Sequence, residues 1–139
     1  MNDGAVCTTI RVRFSEVDPQ GIVYNSRYLE YVDVALGEFI RARGIKLIET
    51  AAQGHFDTSV VRAELDYLSP AQLDQQIDVW AWLVRLGNKS FTLGYEIYPH
   101  GAREPLLVRA ELVYVNYNAA QGRANPIPDD IRVALMEGE

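Results

Sequence analysis

One amphipathic helix followed by a succession of long strands is the pattern that most limits what this chain can fold into. From Tyr28 the apolar residues Tyr28, Val32, Ala35, Leu36, Phe39 and Ile40 recur at helical spacing, with Glu30, Asp33, Glu38 and Arg41 on the wet face. Ser26 is a predicted N-cap, and Gly44 fits the C′ position with Arg41 and Arg43 in the last turn. Those limits predict about sixteen residues of helix. Upstream, Ile10, Val12 and Phe14 alternate with Arg11 and Arg13, so Thr8 to Phe14 is predicted as a strand with one apolar face. Downstream come four predicted strands: Thr58 to Tyr67, Gln75 to Val84, Phe91 to Ile97 and Arg109 to Tyr117. Ser69-Pro70, Gly87-Asn88 and the stretch from Pro99 to Pro105 break them. Lys46 to Gln53 reads as a short helical turn. After Asn125-Pro126-Ile127-Pro128, Asp129 is predicted to cap a short helix ending near Met136.

Consecutive strands joined by short turns pair antiparallel, so the predicted class is α+β. The predicted strand Gln75 to Val84 is apolar on both faces: Ile77, Val79, Ala81 and Leu83 oppose Trp80, Trp82 and Val84. One helix and a short tail offer little cover for the second face, which predicts a homo-oligomer, dimer or tetramer.

The length of 139 residues suggests a single domain over 1–139. A net charge of −6 argues against non-specific nucleic-acid binding, which depends on phosphate neutralisation. Cys7 is the sole cysteine, which excludes an intramolecular disulfide and a cysteine metal cluster. Its apolar neighbourhood, Val6 to Phe14, predicts a buried, inert thiol. The opening Met1-Asn2-Asp3-Gly4 has no basic or apolar signal region, and the apolar run Val79 to Val84 is far short of a membrane span. The expected setting is cytoplasmic, without stable membrane insertion.

The chemistry concentrates in Asp18-Pro19-Gln20-Gly21-Ile22-Val23-Tyr24-Asn25-Ser26-Arg27-Tyr28. A carboxylate in a tight turn precedes a predicted helix N-terminus. That pairs a base or nucleophile with backbone N–H groups suited to a developing oxyanion, the two requirements of acyl transfer. The same Asp-Pro-x-Gly residues also compose an ordinary type I turn. A Ser-His-Asp hydrolase is disfavoured: the only histidines are His55 and His100, and neither lies in a nucleophile-elbow sequence. His100 falls in a predicted turn and is expected to be solvated. His55 precedes a strand, with a surface role expected.

Strand, Asp-Pro-x-Gly-Ile-Val-Tyr, helix and long antiparallel strands together resemble the hotdog-fold acyl-CoA thioesterases. The resemblance is to the branch of 4-hydroxybenzoyl-CoA thioesterase and the Tol–Pal-linked short-chain enzymes. It spans roughly Thr8 to Met136, with support from the stretches Val61 to Pro70, Gly87 to Phe91 and Pro126 to Pro128. It implies a hotdog fold, an antiparallel sheet of about five strands wrapped around one long central helix. It implies acyl-CoA hydrolysis to a free acid and CoA, with no cofactor and no metal. Asp18 matches the family's essential carboxylate. Asn25 matches the residue whose backbone N–H polarises the thioester carbonyl. Tyr24 and Tyr28 match aromatic positions at the site, and Gly21 belongs to the same substrate-binding turn. Lys89 and Ser90 fall where the family holds CoA phosphates, and Arg85, Arg62 and Arg103 are further basic candidates for that role. The resemblance also implies sites at dimer interfaces. Many Tol–Pal-linked members have His where this chain has Asn25. No His lies between Asp18 and Gly54, which argues against a hotdog dehydratase. A carrier-protein thioester as substrate and a non-catalytic acyl-binding module are the alternative readings.

Overall fold

The computed structural model describes residues 1–137. Strand β1 (Val6–Arg11) leads through a short 3-10 turn at Phe14–Glu16 to helix α1 (Arg27–Ala42) and helix α2 (Leu47–Ala52). Strands β2 (Thr58–Tyr67), β3 (Gln76–Leu86), β4 (Ser90–Pro99) and β5 (Val108–Asn118) follow. A two-residue β6 (Arg123–Ala124) precedes helix α3 (Asp129–Met136). All strand pairings are antiparallel, in the order β1-β3-β4-β5-β2, and β6 extends the pairing of β5. Strands β1 and β2 are the sheet's edges.

The alternation in the sequence sets which face is inside. Ile77, Val79, Ala81 and Leu83 of β3 are buried on the same side as Phe91, Leu93, Tyr95 and Ile97 of β4 and Ala110, Leu112 and Tyr114 of β5. Helix α1 sinks its apolar stripe into the same core: Tyr28, Tyr31, Val32, Ala35, Leu36, Phe39 and Ile40 are all buried. It packs against β1 and β3. At its C-terminus Arg43 is the C-cap and Gly44 takes a φ of +76°, as the C′ position requires. Register shifts between Val60 and Arg62 and between Leu83 and Arg85 leave Val61 and Val84 as bulge residues, both exposed. On the outer face, part of the cover comes from the chain itself. A Cβ on Gly94 would lie 2.6 Å from the Trp82 ring, so the indole rests directly on the β4 backbone.

Three expectations need correction, and a fourth, the Ser26 N-cap, holds in position only. The first strand starts and ends earlier than Thr8 to Phe14. After Arg11 the chain leaves the sheet, and Phe14 is 81% exposed on the 3-10 turn. Cys7 is exposed, because it sits on the outward side of the edge strand, opposite Trp80. Ser26 occupies the N-cap position in helical conformation and makes no side-chain cap. Asp129 is the first residue inside α3, and Pro128 is the N-cap.

Candidate active site

Residues 16–24 form a closed loop hung between the 3-10 turn and α1. Its two sides pair as a short antiparallel ribbon. The Tyr24 N–H donates to the Glu16 carbonyl at 3.0 Å, Val17 bridges Val23, and the Asp18 N–H donates to the Ile22 carbonyl at 2.9 Å. Asp18 stands at the tip. Its carbonyl accepts the Gly21 N–H at 2.9 Å, closing a tight turn, and Gly21 takes a φ of +79°, where a side chain would be strained. Asp18 Oδ1 accepts the Gln20 N–H at 2.8 Å. The second carboxylate oxygen has no protein partner among the described residues. One oxygen therefore fixes the side chain while the other, among those residues, is left without a protein hydrogen bond.

The far side of the loop is stitched to the segment joining β2 and β3. The Val23 N–H donates to the Ala71 carbonyl at 2.9 Å, and the Leu73 N–H to the Gly21 carbonyl at 3.0 Å. Beyond Val23 the chain turns directly into α1. The Arg27 N–H donates to the Tyr24 carbonyl at 2.9 Å. Among the described residues the backbone N–H groups of Asn25 and Ser26 donate to no protein atom. These are the orphan amides of a helix start, at the positive end of the α1 dipole. The side chain that would normally satisfy one of them, Ser26, does not.

Beside these amides lies an apolar cleft of about 280 Å³ walled by Ile22, Val23, Asn25, Tyr28, Tyr67, Leu68, Ser69 and Pro70. Tyr28 forms its floor. It is 3% exposed, its hydroxyl accepts the Ala71 N–H at 3.0 Å, and its ring lies 5.6 Å from that of Tyr67. Burial pushes the Tyr28 phenol above its ordinary pKa of 10.0, so it stays protonated at neutral pH.

Sequence reasoning missed two groups. Tyr67 and Leu68 reach the cleft from the end of β2, about forty residues downstream of the loop; the stretch Val61 to Pro70 that holds them supports the resemblance without marking them as site residues. Glu16 is the other: its carboxylate is 4% exposed and takes four hydrogen bonds, from the Arg13 N–H, Nε and Nη2 and from the Tyr31 hydroxyl. The spacing of Arg13 and Glu16 was the available clue, since a carboxylate three residues on reaches back to the N–H of a cap.

Of the anticipated residues, Asn25 and Tyr28 line the cleft, while Asp18 and Gly21 form the tight turn in the loop that leads to it. Tyr24 joins the loop through its backbone, but its side chain is 55% exposed and outside the cleft walls. Lys89 and Ser90 lie elsewhere in the same chain. They sit at the β3–β4 turn, at the opposite end of β3 from the segment that holds the Asp18 loop, roughly 30 Å along the strand at strand rise. Arg103 stacks over Trp80 at 4.4 Å and Arg62 pairs with Glu64, so neither faces the loop as a free cation. His100 is not simply solvated: its Nδ1 lies 2.8 Å from Asp78. His55 pairs with Asp130 at 2.9 Å, tying the start of β2 to α3.

A curled antiparallel sheet against an apolar helix, with a carboxylate turn at the helix start, defines a hotdog protein of the thioesterase kind. The chain belongs to the thioesterase-like superfamily, whose family model matches residues 12–135. It is 28% identical over 88 residues to an acyl-CoA thioesterase, YbgC, of Helicobacter pylori, a match covering 63% of each chain. Its fold is similar to a 1,4-dihydroxy-2-naphthoyl-CoA thioesterase of Synechocystis, with a TM-score of 0.85 at 21% identity over 96% of both chains. It is likewise similar to a 4-hydroxybenzoyl-CoA thioesterase bound to 4-hydroxybenzoyl-CoA, with a TM-score of 0.85 at 20% identity, covering 94% of this chain and 98% of that one.

Proposed function

We propose that this chain hydrolyses acyl-CoA thioesters to a free carboxylic acid and CoA, as a single hotdog domain over 1–139. The observation that carries the reading is the pairing, across one short loop, of the half-free Asp18 carboxylate with the unbonded amides of Asn25 and Ser26 beside an apolar cleft. The thioester carbonyl oxygen points at the α1 N-terminus, where the Asn25 N–H and the helix dipole stabilise the charge that builds on it. Asp18 takes the proton of an attacking water as oxygen joins the carbonyl carbon. The carbon–sulfur bond then breaks, and the CoA sulfur leaves with its electron pair and is protonated. Direct attack by Asp18, through a mixed anhydride that water then opens, uses the same groups. The acyl group lies in the cleft over Tyr28, with Gly21 letting the backbone approach the substrate. Tyr24 flanks the entrance. Lys89 and Ser90 serve the CoA phosphates of a site formed with a second copy, since one chain holds them far from its own Asp18. The assembly is a dimer or tetramer, and the setting is cytoplasmic. A carrier-protein thioester presents the same bond and is the alternative substrate.

The test is thiol release from a panel of acyl-CoAs, from short aliphatic to hydroxybenzoyl, by wild type and Asp18→Asn. The amide keeps the turn and removes the base, so kcat is expected to fall at least about a hundredfold. Unchanged turnover in Asp18→Asn ends this mechanism. Absence of activity on every CoA ester, with activity on a carrier-protein thioester, moves the reading to the alternative.

A further inference from the structure

We infer that Glu16 is a positioning residue: it fixes the Asp18 turn and the α1 N-terminus relative to each other. The inference rests on the thioesterase reading above and extends it to a buried residue outside the walls of the cleft.

Three contacts converge on this one residue, each leading to a different part of the site. Its carboxylate grips Arg13, through the backbone N–H at 2.8 Å, Nε at 3.0 Å and Nη2 at 2.6 Å, which fixes where the chain enters the loop. Its carbonyl accepts the Tyr24 N–H at 3.0 Å, which fixes where the chain leaves the loop, one residue before Asn25. Its Oε1 accepts the Tyr31 hydroxyl at 2.9 Å, and Tyr31 is 2% exposed within the second turn of α1. Loop entry and helix body thus meet at one buried carboxylate, and loop exit at the backbone carbonyl of the same residue. Asp18 lies two residues beyond it, on the ribbon those contacts close.

The cost of burying a charge there argues for geometry over plain stability. A carboxylate at 4% exposure must recover its lost hydration from hydrogen bonds, and an apolar side chain of similar size would fill the space without that requirement. An apolar side chain offers no directional bond to Tyr31 or Arg13. A displacement of the reacting groups by about 1 Å is enough to cost on the order of a hundredfold in rate. Glu16 supplies bonds that resist such a displacement between base and oxyanion site.

The test uses the full chain in two backgrounds. In the wild-type background, Glu16→Gln and Tyr31→Phe are assayed for kcat and KM per folded molecule, on the acyl-CoA that wild type hydrolyses fastest. Glu16→Gln is expected to lower kcat about ten- to a hundredfold with KM within about threefold, and Tyr31→Phe to lower kcat by about three- to tenfold. In the Asp18→Asn background the same ester, labelled with ¹³C at its carbonyl, is bound and its infrared band recorded. Polarisation by the helix amides moves that band below its solution frequency, and adding Glu16→Gln is expected to return it toward the solution value. A Glu16 that serves stability alone lowers the melting temperature and leaves both kcat per folded molecule and the carbonyl band unchanged; that result overturns the inference. Tyr31→Phe gives an independent reading if Glu16→Gln does not fold, and a wild-type kcat and carbonyl band there also overturn it. A wild type inactive on every thioester sinks the functional reading itself. An active wild type with an equally active Glu16→Gln sinks only the positioning role.

Discussion

Glu16 and Asp78 are buried carboxylates whose surroundings favour the charged form, and this sets how the protein answers acid. Burial alone raises the pKa of Glu16, but bonds from the Arg13 side chain and backbone and from Tyr31 outweigh it, so the group sits below its ordinary 4.5. Asp78 behaves in the same way. Burial is outweighed by the Gly101 N–H, the Thr9 hydroxyl and the His100 imidazole, and its pKa lies below the ordinary 3.8. In both cases the unfolded chain binds a proton more readily than the folded one. The stabilisation is therefore complete above pH 4.5 and is lost as pH falls through the lower folded values. Melting temperature is expected to be insensitive to these groups near neutrality and to drop below pH 4.5, with Glu16→Gln removing part of that slope. An identical acid slope in Glu16→Gln and wild type rejects this assignment. The Asp18 turn was legible in the sequence because its chemistry is local: Asp, Pro and Gly fix a turn within four residues. The partners of Glu16 were not, because Tyr31 lies fifteen residues away on the helix and reaches it only once α1 has packed.

The elements were legible where periodicity reflects burial, and misread where an apolar residue stands for something else. Strand β4 follows its alternation, with Phe91, Leu93, Tyr95 and Ile97 all buried. At β1 the same alternation ran past the strand's end, because Val12 is buried just after the strand, where its N–H still bonds the Gln75 carbonyl, while Phe14 faces solvent. Strand β6 is two residues long and carries no period to read. The pairing of β4 with β5 also holds a polar contact that pattern alone does not reveal. The hydroxyls of Tyr95 and Tyr114 lie 2.6 Å apart in the core, and both side chains are almost fully buried. Tyr95→Phe leaves the Tyr114 hydroxyl buried without its partner, at a cost of about 1–3 kcal/mol. Replacing both tyrosines by Phe removes the orphan and is expected to recover most of that loss. Urea unfolding of the two single variants and the double variant checks this: a double variant as unstable as the sum of the singles refutes the pairing as the source.

At the scale of the whole molecule, the separation of Lys89 from Asp18 bears on the proposed assembly. Within one chain the Asp18 loop lies beside the segment that enters β3 and Lys89 lies beyond its far end, so the proposed site draws Lys89 from another copy. The proposed contact is to phosphate, at the exposed end of a flexible side chain. Lys89→Ala is therefore expected to raise KM for the CoA ester about three- to tenfold, with little change in kcat and a smaller effect at high salt. For the N-acetylcysteamine thioester of the same acid, which lacks the nucleotide, the substitution is expected to change nothing. The origin of Lys89 is read by mixing chains. Take Lys89→Ala and Asp18→Asn, unfold and refold them together, and each mixed pair contains one site with its Asp18 from the first chain and its Lys89 from the second. That site is intact, and the other lacks both groups. Adding chains inactive in themselves is then expected to create a component with the wild-type KM. If Lys89 serves the site of its own chain, the inactive partner only dilutes the activity and KM stays at the Lys89→Ala value.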